Sequence, residues 1–90
     1  MATKILRVCK GDSVKFRWAG DTPHNVVSVP AWAWSACGLA STTTIAPVSM
    51  SGSKTVKFRA GSKSYSYICS VFGHCEMGQR LRVSVSSWCK

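Results

Sequence analysis

Acidic residues are scarce in this chain of 90 residues, which carries three Asp or Glu against 12 Lys or Arg and has a formal net charge of +9. Such a balance indicates an acidic partner: nucleic acid, an anionic surface or an acidic protein. Charged residues make up only 17% of the chain and hydrophobic residues 46%, which argues against a disordered chain. The sequence also lacks the run of ~20 apolar residues that a membrane-spanning helix needs, and its N-terminus lacks the apolar stretch of a signal peptide. We therefore expect no transmembrane segment, and any secretion signal would already have been removed.

The length and the cysteine content indicate a small domain that disulfide bonds or a bound metal would help to stabilise. We predict a single domain over 1–90, and a chain of this size buries only roughly two-thirds of its unfolded surface. Five cysteines are an odd number, so one thiol remains if the others pair. Two disulfides would imply an oxidising compartment, and we expect an extracellular protein.

Alternation of apolar and polar residues dominates the sequence and predicts short β-strands. The segment 30–53 breaks the alternation and is rich in Ser, Thr, Gly and Pro, so we expect an irregular connection there, with room for a short helical turn. Six or more short strands separated by turn signals are typical of an all-β sandwich. The predicted strands are 5–10, 14–18, 25–29, 54–60, 64–69 and 79–86.

Basic residues occupy the positions between apolar ones in three of these strands. These positions face outward, so they form either a solvated basic face or a docking surface for an acidic partner. The residues are Lys15, Arg17, Lys57, Arg59, Arg80 and Arg82.

One cysteine and two histidines are predicted to converge at one end of the sandwich. Cys69 ends the inward row of its strand, His74 lies in the short loop that follows, and His24 begins another strand after a turn. Two imidazole nitrogens and one thiolate sulfur form the trigonal donor set of a blue-copper electron-transfer site. A zinc site would more commonly show C-x2–4-C spacing, which is absent. The same residue types could also form a catalytic pair of a Cys nucleophile and a His base. However, no acidic residue that could orient the histidine and no oxyanion-hole signature lies nearby in the sequence.

The same region resembles the phytocyanins, the plant blue copper proteins of the cupredoxin group. The resemblance extends over roughly 8–85 and rests on "GDSVKF", "HNVVSV" and "YSYICSVFGHCEMGQRLRV", with C-x4-H-C met by Cys69, His74 and Cys75. Cys37 lies thirteen positions after His24, as in that family. The chain departs from the family at its start, where a fuller N-terminal strand is usual, and in carrying Cys9 and Cys89.

The resemblance implies a Greek-key β-sandwich of cupredoxin type with about 6–8 strands, and a disulfide between Cys37 and Cys75. If the first and last strands run parallel in one sheet, as in cupredoxins, Cys9 and Cys89 lie near the same end of the sheet and would form a second disulfide. The alternative is two free thiols or an intermolecular link.

The resemblance also implies one copper ion held by His24, Cys69, His74 and a weak axial ligand five positions after the histidine, which is Gln79. Met77 is the alternative axial ligand, because thioether is the commoner axial donor among cupredoxins. Asn25 matches the residue that steadies the cysteine loop through hydrogen bonds.

By this resemblance the protein is a carrier of single electrons and not an enzyme, with His74 as the route of the electron. We expect a monomer in the cell wall, or membrane-anchored in a longer precursor. Its partner would be a redox protein or a small redox molecule, acidic in character. Two alternatives stay open: a copper-binding cell-wall module without a redox role, and a basic nucleic-acid binder. The second requires aromatic residues on an exposed basic face, whereas here they fall mostly in inward positions.

Overall fold

The computed structural model describes residues 4–38, 41–71 and 73–89, which form a β-sandwich with one short helix. The elements are β1 (Lys4–Cys9), β2 (Ser13–Trp18), β3 (His24–Val29), α1 (Ala31–Trp34), β4 (Thr43–Ser49), β5 (Gly52–Lys57), β6 (Lys63–Ile68) and β7 (Arg80–Ser86). This architecture confirms the predicted all-β class. The described helix has four residues, and no described helix is long and apolar enough to cross a membrane.

The strands form two sheets of unequal size. Five strands pair in the order β1-β7-β6-β3-β4, and β2 pairs with β5 in a separate two-stranded sheet. All pairs are antiparallel except β1 with β7, which run parallel with Cys9 opposite Ser86. A disulfide joins Cys9 to Cys89 just beyond this pair, and a second joins Cys37 to Cys75. Both predicted bridges are therefore confirmed.

The main core lies between the two sheets and follows from the period of two in each strand. Leu81, Val83 and Val85 of β7 are buried, as predicted from their phase. The ring of Phe16 from β2 meets the ring of Tyr67 from β6 edge-on at 5.2 Å between centroids. The buried members of this core are Phe16, Val26, Ala46, Phe58, Tyr67, Leu81, Val83 and Val85.

A second, smaller core lies on the other face of the large sheet, where α1 packs against β6. Trp34 of α1 is buried there with Ile68. Arg82 stacks over the Trp34 ring at 4.4 Å from its centroid, and Arg80 lies 5.6 Å from it. These two arginines do face outward from β7, but α1 half-covers them, so they are not part of a freely solvated basic face.

Strand β4 is the element that the sequence pattern does not predict, because it falls in the segment expected to be irregular. It pairs with β3 alone, at the edge of the large sheet, and the register shifts twice along the pair. An edge strand with a bulge tolerates Pro47, which cannot donate a ladder hydrogen bond. The short helical turn expected in the same segment is present as α1.

Candidate metal centre

The ends of three neighbouring strands bring the candidate ligands to one end of the large sheet. His24 is the first residue of β3, Cys69 follows directly after β6, and Gln79 directly precedes β7. Because β6 is antiparallel to both β3 and β7, the end of β6 lies beside the starts of the other two. His74 lies in the loop that joins β6 to β7.

Three potential donor atoms lie within 4.8 Å of one another in this cluster. The Cys69 Sγ lies 3.4 Å from His74 Nδ1 and 3.7 Å from His24 Nδ1. The two imidazole rings are tilted, with centroids 4.8 Å apart. Cys69 is the free cysteine of the chain and is only 1% exposed, while both histidines are half-buried. The cluster therefore presents a shielded thiol between two imidazoles.

The electrostatics of the cluster favour a neutral His24 ring, whose nitrogen lone pair is available to a metal. Desolvation by burial lowers the pKa of His24, repulsion from His74 lowers it further, and the neighbouring Gln79 side chain has a smaller, opposing effect. The His24 Nε2 lies 3.3 Å from the hydroxyl oxygen of Thr22. A proton on Nε2 donated to Thr22 leaves Nδ1 facing Cys69 as an acceptor.

Main-chain hydrogen bonds give the loop between β6 and β7 a defined shape. The His74 N–H donates to the Val71 carbonyl, and the Gln79 N–H donates to the His74 carbonyl at 3.0 Å. Gly73 and Gly78 adopt φ values of 79° and 99°, which glycine reaches without steric cost. The Cys37–Cys75 disulfide attaches the residue next to His74 to the segment after α1. His74 is thus held from both sides.

Asn25 braces the residue that follows Cys69. Its Oδ1 accepts from the Ser70 main-chain N–H at 2.8 Å, and its Nδ2 donates to the Ser70 hydroxyl at 2.8 Å. Asn25 itself is buried, at 6% exposure. This arrangement matches the steadying role expected of Asn25, and it brings in Ser70, which the sequence pattern did not single out.

The two candidates for a fourth ligand differ in position. The Oε1 of Gln79 is buried and has no hydrogen-bond partner, and its side chain reaches His24. Met77 is 80% exposed, on the outer side of the loop. A buried acceptor without a partner is costly, and a cation in the cluster would satisfy it.

The structure thus brings His24, Cys69 and His74 together and places Gln79 beside them. Sequence reasoning missed three supporting residues: Thr22, Ser70 and Arg80. The Arg80 guanidinium donates to the carbonyls of Trp34 and Ser35 and lies 3.7 Å from Cys37 Sγ. No spacing or alternation pattern identifies these three residues, because they act through individual hydrogen bonds.

Comparison with known proteins identifies the family. Residues 3–79 match the family model described as the plastocyanin-like domain. The chain belongs to this family. No curated protein matched the sequence of this plastocyanin-like chain.

Several solved structures are similar to this plastocyanin-like domain. The cucumber basic protein, described as a blue copper protein, is 30% identical, with a TM-score of 0.67 over 88% of this chain and 76% of that one. Spinach plantacyanin is 25% identical, with a TM-score of 0.66 over 89% and 81%. Cucumber stellacyanin, at 23% identity and a TM-score of 0.68 over 94% and 73%, supports the fold alone. The resemblance to the phytocyanins is therefore confirmed.

The cofactor that this family and this donor set indicate is copper. Bonds of about 2.0–2.3 Å from a first-row metal ion to nitrogen and sulfur, at trigonal angles, place donor atoms roughly 3.5–3.8 Å apart. Of the two sulfur-to-nitrogen distances, 3.7 Å falls within that spacing and 3.4 Å lies just below it. A donor set of two imidazoles and one thiolate is typical of blue-copper sites, whereas structural zinc sites are almost always tetrahedral with four protein ligands.

Proposed function

We propose that this protein carries single electrons as a type 1 copper protein, with His24 Nδ1, His74 Nδ1 and Cys69 Sγ as the strong ligands. The observation that carries the proposal is the free, buried Cys69 thiol lying 3.4 and 3.7 Å from two imidazole nitrogens. Copper bound there would supply a one-electron couple between Cu(II) and Cu(I).

The protein's own contribution is a donor set whose shape changes little between oxidation states. His24 and Cys69 are anchored on the ends of paired strands, and Asn25 holds the chain after Cys69. The disulfide and the turn bonds hold His74. Ligands supported in this way move little, and a small rearrangement means a small barrier to electron transfer.

We assign Gln79 Oε1 as the weak axial donor. Its burial without a hydrogen-bond partner and the proximity of the Gln79 side chain to His24 support this assignment, as does the exposure of Met77. An amide oxygen is a harder donor than a thioether and favours Cu(II), so it lowers the reduction potential.

The remaining elements of the proposal follow from the same site. His74 is more accessible than the buried Cys69, and its ring is the proposed route for the electron. No bond of a substrate is made or broken in such a role, so the protein is not an enzyme. Two disulfides favour an extracellular location, and the charge of +9 favours an acidic redox partner.

Copper loading of the purified protein tests the proposal. We expect one Cu(II) per chain and an intense visible band from thiolate-to-copper charge transfer. The band should disappear in Cys69→Ser and persist in the control Cys9→Ser/Cys89→Ser, which removes two sulfurs remote from the cluster. A pale copper complex, or a band that survives Cys69→Ser, would refute the assignment. A blue protein that exchanges no electron with soluble redox mediators would instead be a copper-binding module.

A further inference from the structure

A cavity of about 350 Å³ lies between the two sheets and reaches the cluster of candidate ligands. Its apolar walls come from Leu6, Val14, Phe16, Trp18 and Leu81. His24, Asn25, Cys69 and Gln79 also line it, together with Val26, Lys15 and Arg17. Its volume lies at the small end of the range of about 300–1,000 Å³ that is typical of small-molecule sites.

The lining residues show where this cavity opens. Five successive residues of β2, from Val14 to Trp18, contribute to it. Side chains alternate between the two faces of a strand, so a cavity that meets five in succession must run along the strand's edge. One edge of β2 pairs with β5, and the other pairs with no strand among the residues that the structure describes. The cavity therefore follows the unpaired edge of β2, and Leu6 of β1 also lines it.

The charges around the cavity are of one sign. Lys15 and Arg17 are exposed on β2 and line it. None of the chain's three acidic residues, Asp12, Asp21 and Glu76, contributes to the lining. An anionic group at this edge would meet two cations, and the unpaired edge presents main-chain N–H groups as further donors.

The interior of the cavity suits a flat apolar body. Trp18 donates its indole N–H to the Ser49 carbonyl at 3.0 Å, so what it offers the cavity is ring surface. Phe16 supplies a second aromatic ring and Leu6, Val14 and Leu81 supply aliphatic surface. Aromatic rings favour offset-stacked or edge-on contacts with another ring.

From these observations we infer that the cavity is a binding site for a small planar aromatic carboxylate. Its rings lie between Trp18, Phe16 and Leu81, and its carboxylate lies at the β2 edge beside Lys15 and Arg17. The site shares Cys69, His24 and Gln79 with the candidate metal centre. If the proposed function holds, the bound molecule would lie beside Gln79, His24 and Cys69 and away from His74, which does not line the cavity.

Titration with 2-naphthoate tests this site. The protein is loaded with copper and reduced with ascorbate, and the same titration is repeated after a chelator has removed the metal. We expect saturable 1:1 binding by calorimetry in both arms, with NMR shifts at the Trp18 indole N–H and the Leu81 methyl groups. Since the second arm contains no metal, its result stands whether or not the copper arm behaves as a type 1 centre. The neutral analogue 2-naphthalenemethanol should bind more weakly, and acetate should not bind saturably.

Two matched charge variants distinguish binding in the cavity from nonspecific attraction to a positively charged protein. Lys15→Gln/Arg17→Gln should weaken 2-naphthoate binding about fivefold or more, as expected for two lost ion pairs. Lys57→Gln/Arg59→Gln removes the same charge from β5 and the residues after it, outside the cavity lining, and should change the affinity less than about twofold because salt screens distant charges. Val14→Trp, which fills the cavity, should abolish binding while the NMR spectrum stays that of a folded protein.

Three results would overturn the inference. One is the absence of saturable 2-naphthoate binding to the folded, metal-free wild-type protein. Another is an equal loss of affinity in the two charge variants, which would mean nonspecific attraction to a cationic protein. The third is full binding by Val14→Trp, which would place the molecule elsewhere, for example on a surface.

Discussion

The main-chain N–H of Cys69 donates a hydrogen bond of 3.0 Å to the carbonyl oxygen of Gln79. The Gln79 N–H in turn donates to the His74 carbonyl, also at 3.0 Å. The candidate axial residue therefore connects the backbones that carry the thiol and one imidazole. Both bonds use main-chain atoms, so substitutions of the Gln79 side chain leave them in place and test the side chain alone.

Gln79→Met should raise the reduction potential of the copper-loaded protein. A thioether is softer than an amide oxygen and favours Cu(I). We expect a rise of at least about 59 mV, which is a tenfold change in relative affinity for a one-electron couple. Voltammetry of the wild type and the variant measures it. The control Met77→Leu should leave the potential unchanged, because Met77 is 80% exposed. No rise in Gln79→Met, or a shift in Met77→Leu, would remove Gln79 from the coordination sphere.

Asn25→Ala should destabilise the protein and broaden or shift the visible copper band. The substitution removes both 2.8 Å bonds to Ser70 and leaves a part-buried N–H without a partner. Losing such bonds costs about 1–3 kcal/mol of unfolding free energy. Urea denaturation and absorption spectra measure the two effects. Ser70→Ala removes only the hydroxyl partner and should cost less, so an equal or larger loss in Ser70→Ala would contradict the bracing role.

Much of the fold and the outline of the site follow from local patterns. The alternation in β7 predicts the buried row Leu81, Val83 and Val85 because one strand face must meet the core. The convergence of His24, Cys69 and His74 was predicted because each lies at a strand end or in the adjoining loop. The disulfide partners required the family resemblance, since spacing alone does not define connectivity.

The features that the sequence pattern does not predict depend on contacts between distant segments. Strand β4 has its propensity weakened by Pro47, and it is stabilised by pairing with β3 and by burial of Ala46 in the main core. Arg80 and Arg82 occupy alternate positions of β7, which is the pattern of a solvent-exposed strand face. In the structure α1 packs over that face, and both guanidinium groups lie against the Trp34 ring. A period of two identifies the outward face of a strand but not what covers that face. Thr22 acts through one hydrogen bond with His24 and Ser70 through two with Asn25, and no sequence pattern records such bonds.

The two disulfides should differ in their effect on the candidate metal centre. Each closes a long loop, of 38 and 80 residues, and each contributes roughly 4 kcal/mol by the chain-entropy estimate. Cys37→Ser/Cys75→Ser should therefore lower stability and also release copper faster, since Cys75 adjoins His74. Cys9→Ser/Cys89→Ser should lower stability with an unchanged visible spectrum. Copper transfer to a chelator, timed under conditions where all variants are folded, measures the difference. Equal release rates would show that the Cys37–Cys75 bridge does not hold His74.

Tyr67 should make the protein lose stability at alkaline pH. The side chain is 3% exposed, and burial, with a smaller contribution from Tyr65, raises its pKa to about 12. The usual pKa of tyrosine is about 10, so between these values the folded state retains a proton that the unfolded state releases, and stability falls as the pH rises through this window. Urea denaturation of the metal-free protein at a series of pH values above 9 should show the fall. Tyr67→Phe should flatten it, whereas Tyr65→Phe, at a half-buried position, should retain most of it. A fall of equal steepness in Tyr67→Phe would mean that another group titrates in this range.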